Sequence, residues 1–260
     1  MSDIVLPLPE LTDETYFDVA SARAALADGL PVSFPAFELL HVPQMGLNLC
    51  LNMQRDPIQN AWRKGTFFEA EELESLKRYV KDDAHVIDIG ANVGNHALFF
   101  ATRMHAARVL VIEPTPLALA PLMANVLINH LEGVIDLSLL GVGLSDRSQA
   151  GFGMKRHDRN LGATKMFEGK GDIDVHAGDD LLGSETPDLI KIDVEGMEMK
   201  VLSGLRQTIA THRPVILIEV DESNATAFED WRVAHDYVIA GTVRHSRKNC
   251  NYVLVAGGAL

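Results

Sequence analysis

From residue 85 onward, short runs of branched apolar residues, several closed by a carboxylate, alternate with stretches of helical period, and few architectures accept such a chain. The runs His85–Ile89, Val109–Glu113, Ile135–Val142, Leu189–Asp193, Val215–Val220, Tyr237–Ala240 and Tyr252–Val255 predict seven strands. Several are continuously apolar, as strands covered on both faces must be. Between them Asn95–Met104, Pro116–Asn129, Met197–Thr211 and Asn224–Ala234 predict helices. Strand and helix in alternation imply an α/β fold, a doubly wound and mostly parallel sheet. The link Gly241–Asn251 is too short for a crossover helix, so the last strand should run antiparallel.

Two regions stand outside that rhythm. Six of the eleven prolines fall in the first 57 residues, which predicts short elements between turns and an N-terminal cap or extension over 1–65. Leu73, Leu76, Tyr79 and Val80 then recur at helical spacing, giving an amphipathic helix over Glu69–Val80 at the start of a Rossmann-like domain, 66–260. Within that domain an insertion near 147–187 separates the third and fourth strands by far more than an ordinary connection. It holds seven glycines and β-like alternation at Gly151–Met154 and Ile173–His176, which predicts a hairpin over one end of the sheet.

Composition narrows the partners. Lys and Arg number 23 against 36 Asp and Glu, and a net charge of −13 gives no basis for gripping nucleic acid or an anionic membrane. Cys50 and Cys250 lie at opposite ends of the chain and form neither a disulfide framework nor a zinc site. The first twenty residues lack Lys and Arg, and no apolar stretch reaches membrane-spanning length, so a cytoplasmic, soluble protein is expected.

The sharpest local signal is Val86-Ile87-Asp88-Ile89-Gly90-Ala91-Asn92-Val93-Gly94-Asn95, a strand running through an acidic residue into a glycine turn and a helix. Open α/β sheets bind ligands at such carboxyl ends. Asn92 and Asn95 stand where the dinucleotide fingerprint requires glycine, which disfavours a pyrophosphate cradle and counts against an NAD-dependent dehydrogenase. Asp88 would repel phosphate but accept hydrogen bonds from an ammonium group. Glu113 ends the next strand 23 residues beyond Gly90, a place suited to a ribose diol. A nucleoside without an essential phosphate is implied, and S-adenosylmethionine meets that description. Gly90, Ala91, Asn92, Gly94 and Glu113, with Asp88, are therefore candidate cofactor residues. Asp146, after the third strand, either reaches an adenine amino group or is a turn residue.

A second signal, Pro187-Asp188-Leu189-Ile190-Lys191-Ile192-Asp193-Val194-Glu195-Gly196, puts Lys191 and Asp193 on one face and delivers Glu195 to the same sheet edge. Asp193 or Glu195 could orient or deprotonate a hydroxyl during transfer. Asp193 pairing with Lys191, and Glu195 capping the next helix, are the structural alternatives. Glu219 ends the fifth strand in the same way, as a pocket residue or a solvated strand end. His96 reads as a packed helix residue. No histidines stand at close metal-ligand spacing and no nucleophile elbow is present, so no metal is expected, although a divalent ion joining Asp193 stays open. Two basic clusters, Lys155, Arg156 and Arg159, and Arg244, Arg247 and Lys248, are either solvated surface or a grip on an anionic acceptor.

The Ile87–Gly94 and Asp188–Glu198 motifs together resemble the paired signature of the FkbM-type S-adenosylmethionine-dependent methyltransferases. Similar stretches are Gly65–Glu69, Val142–Asp146 and Arg213–Val220, and the likeness runs from about residue 56 onward. It implies a class I methyltransferase Rossmann-like fold with a reversed last strand and O-methylation of a sugar, glycoconjugate or natural product without a required metal. The glycine-turn residues and Glu113 would bind the cofactor, and Asp193 and Glu195 would sit at the transfer site. Ala177-Gly178-Asp179 and Asn160–Thr164 depart from the family's pattern where the acceptor should bind. A non-catalytic binding protein on the same fold is the reading from another class.

Overall fold

The computed structural model describes residues 5–7, 17–157, 160–169, 171–244 and 249–258. Its centre is a seven-stranded sheet: β1 (His85–Ile89), β2 (Arg108–Glu113), β3 (Ile135–Leu140), β4 (Leu189–Ile192), β5 (Val215–Asp221), β6 (Tyr237–Val243) and β7 (Asn249–Ala256). The strand order is β6-β7-β5-β4-β1-β2-β3. The five strands from β3 to β5 are parallel, and β7 runs antiparallel to both β5 and β6. The α/β sheet with a reversed last strand is therefore observed as expected.

Both faces of the sheet are dry, because successive side chains point to opposite sides and the strands are apolar at both parities. On one face Val86, Val109, Leu189 and Val253 pack with Leu98 and Leu122 of the helices Asn95–Arg103 and Pro116–Ile128. Leu49, Leu51 and Trp62 from the N-terminal region enter that same cluster. On the other face Ile87, Ile112, Ile190 and Ile216 meet Leu202, Ile209 and Phe228.

Three details depart from the sequence reading. The helix expected over Met197–Thr211 is two, Glu198–Gly204 and Arg206–His212, broken at Leu205. Gly204 lies so close to the chain that a Cβ there would stand 2.0 Å from the Ser145 carbonyl oxygen. The third strand stops at Leu140 rather than Val142, since Gly141 turns the chain with φ +86°. The amphipathic helix is regular only over Ala70–Leu76.

The insertion is more than a hairpin. Gln149–His157 pairs antiparallel with Asn160–Glu168 and Ile173–Ala177, and also with Val5–Pro7 from the N-terminal region. Ile173–Ala177 runs parallel to Gly143–Ser145 and completes a five-stranded second sheet. No helix among the described residues is long and apolar enough to cross a membrane.

Candidate functional site

The glycine bend after β1 is tied to β2. Gly90 and Ala91 both donate to the Ile112 carbonyl, at 2.9 and 3.2 Å. Gly90 has φ +78°, and a Cβ on it would fall 1.8 Å from the Asp193 carbonyl oxygen, so only glycine lets the bend lie against β4's end. Asn92, with φ 50°, turns its amide to Glu113 Oε2 at 2.7 Å, while the Thr115 amide donates to Oε1 at 2.6 Å. Burial pushes the Glu113 carboxyl up, opposed by hydrogen bonds from Thr115 and Asn92. A carboxylate offers about four lone-pair sites, so two backbone donors leave it able to accept from a ligand diol.

Behind the bend Asn95 is sealed, accepting from Trp62 Nε1 at 3.0 Å and the Phe68 amide at 3.0 Å. It staples the N-terminal region to the helix that leaves the glycine turn. His96 is buried beside Glu69, with Nε2 at 3.3 Å from Oε2, and behaves as the packed residue expected.

One strand away the chemistry changes sign. Lys191 stands opposite Asp88 in the β4–β1 register, 3.1 Å from Oδ1, and both side chains are buried. Beyond it, the ends of β4 and β5 collect Asp193, Glu195 and Glu219, each with one oxygen within 4.8 Å of the others. Burial first and the charge of Asp193 second push Glu195 up to about 8. Burial, then the charges of Asp193 and Glu195, push Glu219 up to about 10, and Asn249 Nδ2 donates to its Oε1 at 2.5 Å. Such spacing suits oxygen ligation of a hard divalent cation, and it equally suits carboxyls that keep their protons. Glu195 sits on a left-handed residue, φ 51°, but does not cap the following helix. The N-cap position is Met197, with no side-chain cap, and Glu198 in the first turn accepts from the Gly196 amide at 2.6 Å through Oε1 and from Asn224 through Oε2.

The strand Asn160–Glu168 crosses above both halves. A Cβ on Gly162 would stand 3.2 Å from the Asn92 side chain, and three residues on Lys165 pairs with Asp221 at 3.4 Å. The Leu161 amide is anchored to buried Asp56 at 2.9 Å. Between this strand and the sheet edge lies a cleft lined by Gly90, Asn92, Glu113, Thr164, Asp193 and Glu195, enclosing a cavity of about 40 Å³. A roomier groove of about 710 Å³ runs between the helix Val19–Ala27 and β3, but no candidate cofactor or catalytic residue lines it.

The structure thus brings together Gly90, Asn92, Glu113, Asp193 and Glu195. Asp88, expected to meet a ligand ammonium, meets the ammonium of Lys191 instead and is 0% exposed. Ala91 and Gly94 are buried in the bend without lining the cleft. Asp146 is exposed, accepts from Ser145 Oγ at 3.0 Å, and also lies outside the lining. Of the basic clusters, Lys155 stacks over the Phe167 ring at 5.1 Å and Arg244 is exposed. Arg159, Arg247 and Lys248 lie outside the described residues, as does the side chain of Arg156. Thr115 and Asp56 escaped the sequence reading, although Thr115 carried a signal, two residues past Glu113 after a proline, and Thr164 was reached only as part of the Asn160–Thr164 stretch.

Parts of the chain are similar to known proteins. The pattern of the methyltransferase FkbM domain matches residues 88–254, which takes in Asp188–Glu198 and all of Ile87–Gly94 but its first residue. Methyltransferase 1 of Beauveria bassiana is 29% identical over 149 residues, covering 48% of this chain and 59% of that protein. The hexuronic acid methyltransferase AglP of Haloferax volcanii is 28% identical over 165 residues, covering 62% of this chain and 66% of that one. The chain therefore spans about three-fifths to two-thirds of the length of these relatives. Among solved structures, a methyltransferase FkbM from Methylobacillus flagellatus KT is 25% identical with a TM-score of 0.49, over 66% of this chain and 44% of that one. By the extent of the domain match, this chain is a member of the FkbM methyltransferase family.

Proposed function

We propose that the protein is an S-adenosylmethionine-dependent O-methyltransferase acting on a hydroxyl of a small acceptor, a sugar or glycoconjugate. The observation that carries this reading is the placing of Glu113 and Asp193 on one cleft, on either side of a glycine bend. When bound, S-adenosylmethionine supplies a methyl group on a cationic sulfur. Glu113 would accept from the ribose diol, and Gly90 and Asn92 would let the backbone lie close to the rest.

Asp193 would take the acceptor's hydroxyl proton as the oxygen bonds to the methyl carbon and the carbon–sulfur bond breaks. Glu195 and Glu219 are pushed up to about 8 and about 10, so near neutral pH they hold protons and leave the base role to Asp193. Glu195, protonated, would donate a hydrogen bond to the acceptor. Holding oxygen, methyl carbon and sulfur in line would supply much of the acceleration. A sugar acceptor is supported by the hexuronic acid methyltransferase among the relatives.

A cavity of about 40 Å³ is far below the ~300 Å³ at which small-molecule pockets begin. Entry of an adenosyl group would have to widen the cleft, which the strand Asn160–Glu168 walls on one side. Titration calorimetry with S-adenosylmethionine tests the cofactor half: wild type should bind, and Glu113→Ala should bind at least about tenfold more weakly. Equal affinity in the two proteins refutes the ribose assignment. Labelled methyl transfer to a panel of hexoses and hexuronic acids tests the acceptor half.

A further inference from the structure

We propose that Lys191 is a positioning residue that locks the cofactor bend and the acceptor base into one unit; this rests on the reading given under Proposed function. Its Nζ lies 2.6 Å from the Gly90 carbonyl oxygen, 3.1 Å from Asp88 Oδ1 and 3.8 Å from Asp193 Oδ2. An ammonium has three donors, and here three oxygens surround it, two from the end of β1 and its bend and one from the end of Lys191's own strand. Burial works against its charge, yet Asp88 and then Asp193 outweigh burial and hold it above the ordinary lysine range.

Charge balance for Asp88 would need only the contact between Lys191 Nζ and Asp88 Oδ1. The contacts with Gly90 and Asp193 are surplus to it, and both fall on the cleft side. Gly90 is the residue whose backbone already touches Asp193, and its carbonyl opens the bend that turns the Asn92 amide to Glu113. Fixing that carbonyl therefore fixes the donor that orients Glu113. One side chain thus fixes the geometry of the cofactor end and ties it to Asp193, 3.8 Å away at the acceptor end. Arginine's planar fork does not reproduce three diverging donors.

The test must separate this role from simple charge balance, because Lys191→Met strands Asp88 as a buried, unpaired carboxylate and is expected to melt early. The double variant Asp88→Asn/Lys191→Met leaves Asp88 with no such charge and is compared with Asp88→Asn alone. The charges around Asp193 come from Lys191 on its own strand, Asp88 on β1, Glu219 on β5, Glu195 and Glu198 beyond the bend, and Lys165 on the overlying strand. Between the two proteins compared, only Lys191 changes.

Two measurements are made on the full chain: calorimetry with S-adenosylmethionine, and hydrogen exchange of the Asn92 backbone amide by NMR in the ligand-free protein. The double variant should melt no earlier than Asp88→Asn, bind S-adenosylmethionine about tenfold or more weakly, and exchange the Asn92 amide about tenfold or more faster, because the bend that points it at Glu113 has lost its tie. If it matches Asp88→Asn in both affinity and exchange, Lys191 is only a counter-ion and the proposal falls. If wild type binds no S-adenosylmethionine, the functional reading fails, and the Asn92 exchange alone decides whether Lys191 fixes the bend.

Discussion

Asp88 and Asp193 are two aspartates on neighbouring strands of one sheet, both within reach of one lysine, and the molecule treats them in opposite ways. Asp88 is 0% exposed with Lys191 against it and lines no cavity. Asp193 is 31% exposed in its side chain, lies farther from Lys191 at 3.8 Å, and shares its surroundings with Glu195 and Glu219. A buried carboxylate with its own cation is architecture: it joins β1 to β4. A carboxylate among like charges at a cleft is costly to the fold and available to a reaction. The two positions look alike in sequence and differ in what surrounds them.

Conservative amides at the two positions should break the comparison most strongly. Asp193→Asn removes the proposed base while keeping size, so methyl transfer should fall by about 10²–10⁴ with cofactor affinity nearly unchanged. Asp88→Asn should do the reverse, lowering stability in urea unfolding by about 3 kcal/mol as a buried charge pair is broken. Equal loss of transfer in both variants, at equal stability, would erase the distinction.

A smaller effect is expected where the two regions touch. Gly90→Ala puts a methyl 1.8 Å from the Asp193 carbonyl oxygen and forces an L side chain to φ +78°. The bend must shift away from β4, at a cost of about 2–3 kcal/mol measured by denaturation. Because the shift moves the Asn92 amide off Glu113, cofactor binding should weaken along with stability. Unchanged binding would show that the bend and Glu113 are independent.

Much of this was legible in the chain before any coordinates. Glu113 and Asp193 end apolar runs, and in a parallel sheet the carboxyl ends of strands gather on one edge, so both reached the cleft as topology requires. The fate of Asp88 was not legible in the same way. Its partner depends on β4 lying beside β1, with Lys191 in register opposite it, a fact of strand order between residues about a hundred positions apart. The helix break at Leu205 escaped because the periodicity of Met197–Thr211 continues through it, and the close approach of Gly204 to Ser145 beside the break is a contact between distant parts of the chain. The second sheet escaped because Val5–Pro7, far away in sequence, supplies one of its strands.

The smallest effect, and the one that sharpens the comparison best, is the pH dependence of the acidic end. Glu219 stands at about 10 in the folded protein, against roughly 4.3 for a glutamate in an unfolded chain. Between those values the folded state binds the extra proton, so stability falls as pH rises through that window. Glu195, at about 8, adds to the slope over a shorter span. Glu219→Gln keeps the oxygen that accepts from Asn249 and mimics the protonated carboxyl, so it should leave stability unchanged below about pH 4. Above that the variant should become the more stable protein, its remaining alkaline slope ending near pH 8 instead of 10. The gain is held to about 1–2 kcal/mol, because the site is partly open and water screens the repulsion. Thermal unfolding at pH 4, 7 and 9 measures it. A variant less stable than wild type at pH 9 would mean that Glu219 is held by a favourable partner, and that the acidic end is architecture like Asp88 after all.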